Sequence, residues 1–137
     1  MDEYVWDETY QVDVEILDQQ HRVIFVSLQK NSSAVAEVAN EETVLSLIDN
    51  FDIYCKVHFF DEERVMENAG FPSVNLHRKQ HDIFVNHLEL FKAAYSPRKT
   101  TMKDDFIVIA DWFVRHVMTF DRDYADFLKG KVNNHAG

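Results

Sequence analysis

Residues 58–81 read HFFDEERVMENAGFPSVNLHRKQH, and this stretch decides the fold. His58 and Glu62 stand four apart, as do His77 and His81. Each pair therefore projects from one face of a helix, with Cβ atoms about 5–6 Å apart. Between the pairs, Gly70 and Pro72 mark one helix closing and another opening. Two helices joined by so short a turn lie antiparallel.

Apolar stripes continue outward from this stretch at the i, i+3, i+4, i+7 spacing of buried helical faces. Upstream run Val44, Ile48, Phe51, Cys55, His58, Glu62 and Val65; downstream run His77, His81, Phe84, Leu88 and Phe91, ending before Ser96-Pro97. Farther out lie His21, Ile24, Phe25 and Leu28 on one side, and Phe106, Ile109, Phe113, His116, Val117 and Phe120 on the other. Asp18 is expected to cap the first helix, with Leu17 ahead of it as a staple residue. That helix is expected to run to about Ala39, and Asn40-Glu41-Glu42 to open the second. Residues 1–17 hold Tyr4, Trp6 and Tyr10 without a helical period, which predicts an arm packed on the domain. The expectation is an all-α fold with a single domain over 1–137. It is an up-down-up-down four-helix bundle with an N-terminal arm over 1–17 and four helices within about 18–130. No β-type alternation, internal repeat or linker competes with it.

The 137 residues are 46% hydrophobic with three glycines and two prolines, enough for a sizeable core and for long uninterrupted helices. No apolar run approaches the roughly 20 residues that span a bilayer. Met1-Asp2-Glu3 lacks the basic and apolar regions of a signal peptide, and the one cysteine, Cys55, cannot form an intramolecular disulfide. A cytoplasmic location follows as the expectation. The net charge of −10 argues against nucleic acid and against an anionic membrane surface as partners. No residue pattern indicates a protein partner.

His21, His58, Glu62, His77, His81 and His116 all occupy stripe positions, and Asp121 follows His116 by five. Any one of these histidines alone reads more simply as a hydrogen-bonded core or surface residue. Four stripes carrying such groups together need a shared explanation, because a buried imidazole or carboxylate is costly unless paired or metal-bound. Five imidazoles and two carboxylates form the ligand list of a dinuclear metal site, suited to iron and also to zinc, copper or manganese. Carboxylates can bridge two ions and neutral imidazoles cannot, so the shares are unequal. Three histidines, two carboxylate oxygens and a bridging solvent oxygen give one ion six ligands; two histidines and the same bridges leave the other with five. His116 and Asp121 are the geometric difficulty, since five residues on a regular helix are about 140° apart. They require a helix end, a wide turn or a local bulge. His87 falls off the His77–His81 face and is expected in solvent, His135 sits in a polar tail, and Cys55 is expected to be a small buried apolar residue.

The same residues carry a resemblance. His58-Phe59-x-x-Glu62-Glu63-x-x-Met66, Gly70-Phe71-Pro72, His77-x-x-x-His81-Asp82-x-Phe84, Trp112-x-x-x-His116 and the early Trp6 resemble the hemerythrin family across essentially the whole chain. In length the chain is similar to the bacteriohemerythrins, the single-domain bacterial form. The resemblance implies two iron ions with an oxo or hydroxo bridge. His77, His81 and His116 would bind one iron, His21 and His58 the other, and Glu62 and Asp121 would bridge both. It implies reversible O2 binding at the five-coordinate iron, for carriage, storage or delivery, and no catalysis. Phe59 and Trp112 resemble walls of the O2 pocket. Phe113, three before His116 where many relatives carry leucine, is a bulkier wall that bears on ligand access.

Other readings account for less of the chain. A di-iron redox enzyme would be expected to use carboxylate-rich ligation, whereas five histidines leave the metals less electron-rich. A metal-dependent phosphohydrolase, prompted by His81-Asp82 with His58, leaves Glu62, His77 and the His116–Asp121 pair without roles, and no basic residues cluster as a phosphate clamp. A sensor module for O2 or NO would need an output partner that the sequence does not itself include.

Overall fold

The computed structural model describes the backbone of residues 4–37 and 40–136 and the side chains as far as residue 130. A short 3-10 turn (Glu8–Tyr10) precedes α1 (Glu15–Ala36), α2 (Glu41–Ala69), α3 (Val74–Ala94) and α4 (Met102–His116). A π-helical turn over Val117–Asp121 then leads without a break into α5 (Arg122–Ala136). Helix α1 packs on α2 and α4, and α3 packs on the same two, which closes the up-down-up-down ring. Among the described residues there is no strand, and no helix is long and apolar enough to cross a membrane.

Local chemistry sets the ends. Asn40 caps α2, its side-chain oxygen accepting from the amides of Glu42 at 2.9 Å and Thr43 at 3.4 Å. At the other end Gly70 takes the left-handed conformation at φ 73°, its amide donating to Glu67 O and that of Phe71 to Met66 O. This is the paired bonding of a Schellman cap, and it favours glycine there. The first helix departs from expectation. It begins at Glu15 rather than after Asp18, its cap residue Val14 makes no side-chain bond, and it ends at Ala36, while 38–39 lie outside the described residues.

Asp18, 4% exposed, serves the arm instead: its carboxylate accepts from the Val12 amide at 2.8 Å and from Asp13 at 3.2 Å. Asp13 sits at φ 64°, and those bonds hold the chain through the turn into the helix. Leu17, expected as a staple residue, is fully buried in the core. The arm itself lies on the bundle, with Tyr4 buried, Tyr10 edge-on to Phe25 at 4.9 Å and the Arg22 guanidinium over Trp6 at 4.3 Å. Asp18→Ala is expected to cost about 2–3 kcal/mol in chemical denaturation, because it strands two amides at a buried turn. An unchanged midpoint would show that water replaces the carboxylate.

The apolar interior forms two layers. The larger holds Ile24, Phe25, Leu28, Phe51, Phe84, Leu88, Phe106 and Phe113; the smaller holds Val12, Leu17, Met66, Tyr124 and Ala125. Several candidate ligands fall between the two layers along the chain: His21 between Leu17 and Ile24, Glu62 between Phe59 and Met66, and His77 and His81 between Val74 and Phe84. The polar residues thus form a slab with apolar packing above and below. Val65 and Phe120, expected in the stripes, are only half-buried. For Phe120 the cause is the π turn, which gives its inward position to Asp121, 1% exposed.

Candidate metal centre

All seven candidate ligands are buried, none more than 3% exposed. The other buried carboxylates are paired elsewhere: Asp18 accepts from amides, and Asp52 Oδ2 meets Lys56 and Lys92, each 3.1 Å away. Among the described residues, these seven converge on one another. Single ligand atoms from Glu62, His77, His81, His116 and Asp121 lie within 4.8 Å of each other, and those of His21, His58 and Glu62 do likewise.

The two carboxylates divide their oxygens between the two histidine groups. Glu62 Oε1 lies 2.9 Å from His77 Nε2 and 3.0 Å from His81 Nε2. Its Oε2 lies 3.5 Å from His21 Nε2 and 3.4 Å from His58 Nε2. Asp121 Oδ1 lies 2.9 Å from His77 and 3.1 Å from His116, and its Oδ2 is 3.3 Å from His21. The π turn makes the last arrangement possible. Its i→i+5 bonding is one residue wider than a regular α turn and brings residues five apart to one side. The Thr119 hydroxyl donates to Arg115 O at 2.7 Å within that turn.

These spacings are those of ligands, not of a settled hydrogen-bond network. Adjacent ligands about 2.1 Å from an ion in octahedral array stand about 3.0 Å apart. Yet His21 Nε2, His58 Nε2 and Asp121 Oδ1 are buried without a hydrogen-bond partner, although oppositely polar atoms are close. His77 Nε2 and His116 Nε2 face each other at 3.0 Å. Buried polar atoms that converge without bonding fit cations between them, and the donor set suits first-row transition metals.

Electrostatics agree. Burial works against a proton on His21, but the neighbouring carboxylates of Asp121 and Glu62 outweigh it and raise its pKa to about 10. His77 is raised to about 9 in the same way. His58 is pushed down by burial and by its neighbour His21. Burial favours protonation of both carboxyls, but the surrounding imidazoles hold Glu62, and likewise Asp121, well below the usual carboxylate range. Without metal, protons on His21 and His77 take the place of cations.

The three expected pocket walls touch the centre. Phe59 stacks on His81 with centroids 3.9 Å apart and lies 5.7 Å from the His58 ring. Phe113, fully buried, stands 6.4 Å from His21 and 6.4 Å from Phe59. Trp112 lies flat on His116 at 5.1 Å and beside Phe84. Phe113 therefore flanks the two-histidine side and Trp112 the three-histidine side, while Phe59 lies against a histidine of each. His87 is exposed and Cys55 fully buried, both as expected; the His135 side chain lies outside the described residues.

Four residues without an assigned role also belong here. Tyr124, fully buried, donates its hydroxyl to Glu62 Oε2 at 3.1 Å. Gln20 meets His58 Nδ1 at 2.8 Å and donates to Asp61 at 2.8 Å, while Glu63 meets His81 Nδ1 at 2.8 Å. A stripe extended past Asp121 by three would have found Tyr124. Gln20 and Asp61 carry no signal beyond being neighbours of His21 and Glu62.

Comparison with known proteins gives the same picture. A family model described as the hemerythrin HHE cation binding domain matches residues 12–128. The chain is 27% identical to a bacteriohemerythrin of Stenotrophomonas maltophilia, with 96% of this chain and 86% of the relative covered. It is 31% identical to a myohemerythrin of Theromyzon tessulatum, covering 94% and 93%. Against a myohemerythrin of Sipunculus nudus the identity is 30%, covering 96% and 95%. With the matched region holding all seven candidate ligands and the bundle that positions them, the chain belongs to the hemerythrin family.

Proposed function

We propose that this protein binds O2 reversibly at a non-haem di-iron centre and carries, stores or delivers it, without turnover. His77, His81 and His116 would hold one iron and His21 and His58 the other, with Glu62 and Asp121 shared between the two groups. The observation that carries this reading is the division of each carboxylate's oxygens between the two histidine groups. A bound ferrous pair would supply the two electrons that hold O2. The chain's own residues do the rest. Phe113, Phe59 and Phe25 keep bulk water from the two-histidine side, which offers the smaller ligand set. Tyr124 holds the Glu62 carboxylate from the opposite layer. The lone buried thiol of Cys55 suits a reducing cytoplasm.

The test is the visible spectrum of iron-loaded, reduced protein recorded without oxygen, in air, and after oxygen is stripped. A charge-transfer band that appears with O2 and vanishes on its removal is the expected result. Immediate, irreversible oxidation would favour a redox enzyme instead. Phe113→Leu is expected to open the two-histidine side. O2 release, followed by stopped flow, should quicken roughly fivefold, the effect of about 1 kcal/mol on a barrier. The same substitution should cost about 1 kcal/mol of stability for the lost packing. Release at the original rate would mean that ligands leave by another side.

A further inference from the structure

Two of the five imidazoles have an outer hydrogen-bond partner, one in each histidine group, and the partners differ in charge. On the three-histidine side His81 Nδ1 lies 2.8 Å from Glu63 Oε2, and Glu63 Oε1 accepts from Arg78 Nε at 3.1 Å. On the two-histidine side His58 Nδ1 lies 2.8 Å from the amide oxygen of Gln20. The orientation of that amide is set by Asp61, whose carboxylate can only accept and receives a hydrogen bond from Gln20 Nε2 at 2.8 Å. Gln20 Oε1 must then face His58, so Nδ1 donates and Nε2 is free for metal. The Nδ1 atoms of His21, His77 and His116 have no such partner among the described residues.

Asp61 thus stands where a neutral amide separates its charge from the imidazole, whereas Glu63 places its charge directly on one. A carboxylate accepting the Nδ1 proton draws it off and makes Nε2 a stronger donor than a neutral amide does. Resting on the di-iron reading above, we propose that Gln20 and Glu63 are positioning residues that make the two metals unequal, Glu63 strengthening His81 and Gln20 keeping His58 a weak donor. The metal that already has fewer ligands is therefore also the one held by the weaker imidazole. It is bound less tightly and gives up its electron less readily.

The charge can be moved without changing its amount. In the Gln20→Glu/Asp61→Asn double variant the introduced carboxylate accepts from His58 directly, and the introduced amide donates to it from position 61. The net charge of the chain is unchanged. In Glu63→Gln/Arg78→Met the partner of His81 becomes a neutral amide, freed from its competing arginine.

Metal-free protein of each form is titrated with Co(II) and read by its visible absorption. Wild type should take up two equivalents of unequal affinity. The first variant should tighten the weaker equivalent roughly tenfold, and the second should weaken the tighter one by a similar factor. After iron loading, the first variant should also show a lower reduction midpoint and faster oxidation in air, which a merely structural role would not produce. Two equivalents with an unchanged affinity ratio in both variants would overturn the inference and leave the di-iron reading intact. Fewer than two equivalents in wild type would overturn both.

Discussion

Glu62→Ala is expected to lose both metals together rather than one. Each Glu62 oxygen faces a different histidine group, so no set of imidazoles keeps its full ligand count without it. The loss would be read as metal content per chain after gel filtration, falling from two to near none. A bound ion stabilises only the folded state, by about 4 kcal/mol when present at about 1,000 times its Kd. At roughly 3–5 °C per kcal/mol for a domain of this size, the variant should melt at least about 12 °C below the loaded wild type. It also leaves His21, His58, His77 and His81 facing one less negative charge in a buried slab. A variant that retained one ion at wild-type affinity would show that Glu62 serves a single metal and does not bridge.

Metal removal should also reverse how stability responds to alkali. In the metal-free state His21 and His77 have pKa values raised from 6.5 to about 10 and about 9. Their contribution is therefore complete below pH 6.5 and is lost as pH rises through about 9 to 10. Glu62 and Asp121 are depressed, so their contribution is present above the ordinary carboxylate range and is lost as pH falls through and below it. Metal-free protein is expected to be most stable at weakly acidic pH and to lose several kcal/mol between pH 7 and 10. Metal-loaded protein, whose ligands are already deprotonated, should not decline over that window. Loading at pH 7.5 should accordingly release about two protons per chain, measurable by calorimetry in buffers of different ionisation enthalpy. A flat metal-free profile from pH 7 to 10, with no proton release, would mean that the imidazoles are neutral and the cluster is held in some other way.

Much of this was legible in the sequence because helical periodicity and buried polarity are independent signals that coincide here. His58, His77 and His81 stand on stripes whose apolar members are all buried, save Val65, and regular geometry carries such pairs to one point. The readings that failed did so where backbone geometry or a distant partner decides. Asp18 looks like a cap because it is an aspartate before a stripe, but its partners are the amides of a turn that sequence alone does not reveal. Phe120 continues the stripe of α4 at the α period and loses its place when the period changes. Gln20 and Asp61 were illegible for another reason. A polar residue beside a ligand is ordinary, and only the fold shows that α1 and α2 bring these two together across 41 positions.

The π turn has a consequence for which changes the last helix can bear. Met118, 56% exposed, and Thr119 point to solvent, so many side chains could replace theirs. Their number can also fall by one. A chain one residue shorter between His116 and Asp121 could run as regular α-helix from Met102 onward, with a better hydrogen-bond ladder. Residues four apart on such a helix lie about 40° from each other around its axis, so the carboxylate of Asp121 and the hydroxyl of Tyr124 would stay at the polar slab. An added residue would need a still wider turn, and without one everything after it would rotate by about 100° and carry both groups away. The segment holds one residue more than a regular turn requires, so insertions there should abolish function where a single deletion is borne.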